Sequence, residues 1–246
     1  MYQMGLTEVF LKDALRQAGC PVCRICRAAE SRYLRFLLHE NVNDVSTRIE
    51  ISRSLGFCRH HSWQLLNMEV EHWIVPLGSS IIYEDLVNQV MHRIEAALSA
   101  MTDKSHQRNW QRLLDCIRRW TQTRDKRDRH FLEPIKTCRV CESSYETAQH
   151  TVHVMIRMLC SYEIQQMYVE SDGICLPHLR LALPLKDIIN PGIHFLINNA
   201  FERLSALQDD LEAFKRKQHW HHRDEMISES ERTAARRAVT FFVGEE

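Results

Sequence analysis

Glycine and proline are scarce in this chain: 246 residues hold 7 Gly and 6 Pro. A many-turned β architecture needs more turn residues than that, so the composition predicts long helices and an all-α fold. Charge of one sign is also lacking, since lysine plus arginine number 32 and aspartate plus glutamate number 32. A chain that is neutral overall has no general attraction for nucleic acid or an anionic membrane, and neither is an expected partner. No apolar run approaches the roughly 20 residues that span a bilayer. The first fifteen residues carry Glu8, Lys12 and Asp13 and no unbroken apolar stretch, which does not read as a secretory leader. The expected compartment is therefore the cytoplasm, where thiols stay reduced. There is no glycine-rich phosphate loop, no GxSxG and no HExxH, so the commonest enzyme signatures are missing and the reading leans away from catalysis.

What the chain does have is cysteine and histidine, nine of one and 14 of the other, within a 44% hydrophobic content that is ample for a core. The cysteines are patterned. Gly19-Cys20-Pro21-Val22-Cys23 is followed by Gly56-Phe57-Cys58-Arg59-His60-His61, and the pair returns as Thr137-Cys138-Arg139-Val140-Cys141 and Gly173-Ile174-Cys175-Leu176-Pro177-His178. Cys20 and Cys23 precede Cys138 and Cys141 by 118 positions, and Cys58 and His61 precede Cys175 and His178 by 117. The chain thus carries CxxC…GxCxxH twice, which reads as an internal duplication. Three thiolates and an imidazole suit a tetrahedral structural zinc. The expected sites are one per copy: Cys20, Cys23, Cys58 and His61 in the first, Cys138, Cys141, Cys175 and His178 in the second. Ligands drawn from both copies satisfy the same spacing. Four protein ligands leave no open position, which favours a structural ion over a catalytic one.

The offset also sorts the bystanders. Cys26 has Ser144 as its counterpart, so it reads as spare, and His178 corresponds to His61 rather than to His60. An iron–sulfur cluster is the alternative occupant, because Cys3His also ligates some clusters. Thiol–disulfide chemistry is a further alternative, since CxxC at a helix start lowers a thiol pKa, but no βαβ pattern surrounds either motif. Glu146, His150 and His153 share one helix face, and Glu69 with His72 makes a single ExxH; di-iron bundles need two such motifs, so these read as core or surface residues. His219, His221 and His222 in a polar strip read as solvated, and Cys116 and Cys160 as buried and inert.

Periodicity places helices over 7–17, 21–39, 45–55, 58–68, 81–100, 110–120, 141–162, 164–169, 176–183 and 193–217, with a last one through 238–242. Each ligand pair then falls at a helix N-terminus, where the macrodipole favours thiolate. Gly56 suits the C′ position of the 45–55 helix, Pro191-Gly192 a turn, and Val239, Phe241, Phe242 and Val243 a docking surface. Residues 121–130, TQTRDKRDRH, read as a charged connector. The predicted organisation is a first helical repeat over 1–130, a second over 131–217, and a polar strip with a docking helix over 218–246. The helix Ile193–Lys217 packs within the bundle or seams a homodimer.

The stretches GCPVCRICRAAESRYLRFLLHENVNDVSTRIEISRSLGFCRHHSWQLL and SDGICLPHLRLAL resemble an uncharacterised bacterial family, a domain of unknown function. Its members carry a tandem CPxC…GFCxxH and CxxC…GLCLPHL followed by a long helix. The resemblance runs from about Ala18 to Gly244, with Arg139 where the family usually has proline. It implies a helical, duplicated, metal-binding protein and supplies no activity. The expected function is a zinc-braced, non-enzymatic module that binds or scaffolds a protein partner. The alternative is an iron–sulfur or thiol-based redox or metal-handling protein.

Overall fold

The computed structural model describes residues 5–106, 132–185, 190–222 and 224–245. The predicted helix over 110–120, the connector over 121–130 and Cys116 lie outside them. Every regular element among the described residues is helical: α1 Leu6–Leu15, α2 Pro21–Phe36, α3 Val45–Arg53, α4 Arg59–Trp73, α5 Leu77–His106, α6 Arg139–Met158, α7 Tyr162–Glu170, α8 Leu176–Ala182, α9 Pro191–Lys217 and α10 Glu229–Val243. A π turn, Leu37–Asn41, extends α2, and short 3-10 turns follow α8 and α9.

Local chemistry sets the boundaries. Pro21 opens α2, where its missing N–H costs nothing. Asp44 caps α3 by accepting from Thr47 N–H at 2.8 Å. At its other end α3 closes in a full Schellman motif, with Gly56 N–H to Ile51 C=O at 2.9 Å and Leu55 N–H to Ser52 C=O at 3.2 Å. The C′ position is therefore Leu55, at φ 50, and not Gly56, which follows at φ 91. Pro191 likewise begins α9 instead of making a turn, because Asn190 caps it through Gly192 N–H at 2.8 Å. The helix expected over 141–162 ends at Met158, and Ser161 is the N-cap of a separate α7. Ser228 and Glu231 form a reciprocal capping box, so α10 starts nine residues before the stretch predicted from its apolar end.

The chain divides into two compact units, one of Met1–Glu30 with Ser143–Glu246 and the other of Ser31–Glu142. The first has a core around Leu11, Val22, Val152, Met155, Tyr168 and Leu196. Burying side chains of this size stabilises by about 1.5–3 kcal/mol each. Helices α9 and α10 pack together in it, joined by Lys217 to Glu231 at 2.7 Å and Arg237 to Asp210 at 2.5 Å. Of the four residues predicted to dock α10, Phe241 reaches the core, whereas Val239, Phe242 and Val243 are exposed. The second unit is built on Leu34, Leu37, Ile51, Leu65, Ile82 and Val140.

The same offsets recur among contacts. Ser54 Oγ donates to Ile51 C=O at 3.1 Å and Ser171 Oγ to Tyr168 C=O at 2.7 Å, each residue 117 positions from its counterpart. Val22 and Val140, Leu34 and Val152, and Leu65 and Ala182 are all fully buried at offsets of 118, 118 and 117.

Candidate metal centres

Each cysteine–histidine motif starts a helix. Cys58 and Cys175 are the N-cap residues of α4 and α8, which puts His61 and His178 on the same first turns. Cys20 and Cys138 immediately precede α2 and α6, which puts Cys23 and Cys141 within their first turns. Positive-φ glycines deliver the chain to three of these starts: Gly19 at φ 88, Gly56 at φ 91 and Gly173 at φ 76. The approach to Cys175 is fixed further by Tyr168 Oη, which accepts Ile174 N–H at 3.1 Å.

The eight residues come together as two quartets that could hold a metal ion, Cys20, Cys23, Cys175 and His178, and Cys58, His61, Cys138 and Cys141. This corrects the expected grouping by copy. The first CxxC meets the second GxCxxH, and the second CxxC meets the first GxCxxH. Hydrogen bonds within each unit hold this grouping. Gly19 N–H donates to Asp172 Oδ2 at 2.6 Å, which brings the first CxxC beside the second GxCxxH. Ile135 N–H donates to Arg53 C=O at 2.8 Å, which does the same for the second CxxC and the first GxCxxH.

The donor atoms fit one small cation in each place. A zinc about 2.3 Å from sulfur and about 2.0 Å from nitrogen requires S···S edges near 3.8 Å and S···N edges near 3.6 Å. His178 Nδ1 lies 3.1 Å from Cys175 Sγ, 3.4 Å from Cys23 Sγ and 3.6 Å from Cys20 Sγ. His61 Nδ1 lies 3.2 Å from Cys58 Sγ, 3.3 Å from Cys141 Sγ and 3.6 Å from Cys138 Sγ. Between sulfurs, Cys23 and Cys175 are 3.6 Å apart and Cys58 and Cys141 3.5 Å. Both rings present Nδ1 to the sulfurs.

Crowding this many acidic thiols around one imidazole splits their proton affinities. Burial works to lower His178, but the thiols of Cys20, Cys23 and Cys26 outweigh it and raise the ring to about 11. Cys23 is held far below the ordinary thiol range, chiefly by the Cys175 thiol. Cys175 is pushed well above it by Cys20 and Cys23. In the second quartet burial works to raise Cys138, yet the His61 ring and nearby backbone N–H groups bring it down to about 6. Burial and the Cys58 thiol push Cys141 up to about 12. A quartet of this kind sheds its remaining protons only when a cation takes their place.

Cys26 stands outside both quartets. It is buried, and its thiol faces the Ser144 carbonyl at 3.7 Å, the residue at its own offset position. Cys160, expected to be buried, is exposed on the turn after α6. Glu146, His150 and His153 line an open groove of about 680 Å³ with Gln149, Arg157 and Asn190. Glu69 is buried and accepts the N–H groups of Gly78 and Ser79, the latter at 2.9 Å, at the start of α5. It serves as a helix cap, a role invisible in the ExxH spacing because its donors come from the next helix.

No curated protein and no solved structure matches the chain. One family model covers residues 1–246, and its description is a family of unknown function, DUF6062. With the paired motifs and the helical fold in view, the chain belongs to that family.

Proposed function

We propose that this is a structural zinc protein, with two Cys3His ions bracing a helical scaffold that binds a protein partner without catalysing a reaction. The observation that carries the reading is the size of the two donor cages. The donor atoms of each cage all lie within 4.8 Å of one another, with Nδ1–Sγ distances of 3.1–3.6 Å, which suits the tetrahedron around a single ion and leaves no space for several iron and sulfide atoms. Each cage supplies four protein donors, so no position stays open for a substrate.

The energetics support a bracing role. Linking Cys23 to Cys175 and His61 to Cys138 closes long segments at a cost of about 4 kcal/mol each. A structural zinc supplies on the order of 10 kcal/mol. We also infer that the chain is a duplication whose copies exchange ligands. The matched serine hydrogen bonds, the paired core positions and the coverage of Gly56 by Leu86 and of Gly173 by Arg203, again 117 apart, support it. Apolar side chains left exposed on α5, Val87 and Met91, are the kind of surface a protein partner covers.

Elemental analysis with a visible spectrum tests the metal. The expected result is a colourless protein with two zinc per chain; a brown protein with iron and sulfide would replace this reading with the cluster alternative. The ligand exchange has its own signature. Cys23→Ser and Cys175→Ser should each remove one zinc, and the double variant should still remove only one. Cys23→Ser with Cys58→Ser should remove both.

A further inference from the structure

The two cages differ in what lies over them. In the first, Cys20 and Cys175 are buried, and the end of α10 arrives on top of the sulfurs. Gly244 is buried at φ 85, and its N–H donates to Thr240 C=O at 2.9 Å. A Cβ placed there would stand 3.1 Å from Cys23 Sγ and 3.9 Å from Cys175 Sγ, so bare backbone rests against the thiolates. The next residue fastens this contact. The Glu245 carboxylate occupies the space where a Cβ on Gly19 would project, and it pairs with Arg27 at 2.6 Å. Positive φ favours glycine at both 244 and 19, and at 244 the close approach to Cys23 Sγ adds to it. Cys23 and His178 of the first cage are half-buried, whereas in the second cage Cys141 is exposed, Cys58 and Cys138 are half-buried and only His61 is buried.

Resting on the zinc reading above, we propose that Gly244 and Glu245 form a cover that closes the first site, leaving the second as the one that exchanges its metal with solution. Exchange at a four-coordinate ion is associative: an incoming donor must reach the ion or displace an accessible sulfur. Cys58, His61, Cys138 and Cys141 would hold the ion at the second site, and an acceptor thiol would replace Cys141, whose sulfur would take up the proton that the acceptor gives up; no electron would be transferred. At the first site the same approach meets the backbone of Gly244 and waits for a local opening of the tail. The recognisable acceptors are small thiols and aminocarboxylate chelators.

The experiment uses the full chain loaded with zinc and a chromogenic chelator in excess, with release followed by absorbance. Two phases are expected, each of one zinc. Cys141→Ser should abolish the fast phase and keep the slow one. A chain ending at Val243 should speed the slow phase by about tenfold or more, with the fast phase unmoved. Glu245→Gln combined with Arg27→Ala, which keeps the chain length, should speed it in the same direction. Circular dichroism and a melting curve establish that each variant folds. Release of both ions in one phase, or a slow phase indifferent to both tail variants, overturns the cover. A zinc content far from two per chain before any chelator is added overturns the underlying reading instead.

Discussion

Gly173 and Glu69 show how much of the molecule turns on single residues. Gly173 is at φ 76, and a Cβ added to it would stand 3.2 Å from Arg203 Nε. An alanine there is opposed both by left-handed backbone and by the guanidinium, which is fixed by Asn199 Oδ1 at 2.6 Å and by the Tyr168 and Val169 carbonyls at 2.9 Å. Glu69 acts at a distance in sequence. Its carboxylate is buried and satisfies two N–H groups that open α5, and Gly78 is hemmed in by Leu38 and Val42 as well as by Glu69 itself. Glu69→Ala strands those donors and should cost about 2–3 kcal/mol in urea unfolding, whereas Glu69→Gln, which keeps one acceptor, should cost less. At this scale the motifs were legible: Cys26 and His60 could be separated from the quartets by offset alone. The cap and the tail glycine could not, because each is defined by a neighbour far along the chain.

Helices obey the sequence where punctuation is local and depart from it where it is not. Pro21 and the Ser228–Glu231 box are short-range signals, and the box sets the start of α10 well before its apolar end. The break between α6 and α7 has no glycine or proline, and periodicity ran straight through it; Ser161, read as helix interior, is an N-cap. The pairing of α9 with α10 rests partly on carboxylates. Arg237 holds Asp210, and Lys217 holds Glu231, below the usual carboxylate range. Depressed values mean that this stabilisation is present at neutral pH and is lost as pH falls through and below the ordinary carboxylate range. Protection factors, which correct for the slower intrinsic exchange at low pH, should therefore fall in 229–243 on acidification before they fall in the Val152–Leu159 core. An equal fall in both would show that the ion pairs contribute nothing to the pairing.

Across the whole molecule, the composition was enough to predict an all-helical chain and the motifs enough to predict two donor sets; which half donates to which was not written in spacing. Cutting the chain between the two pairs of motifs offers a direct check. Fragments 1–106 and 132–246, expressed separately, should each fail to retain stoichiometric zinc. Mixed, they should recover two ions and elute together, and a strong chelator should part them. Two fragments that each hold an ion alone would refute the exchange.

The crossed ligation also constrains ancestry. On the duplication inferred above, a polypeptide with one CxxC and one GxCxxH could complete a coordination set only by borrowing from a twin. The precursor was then a two-fold symmetric dimer sharing two ions across its seam, and joining the genes turned an assembly that dilution could dissolve into one that it cannot.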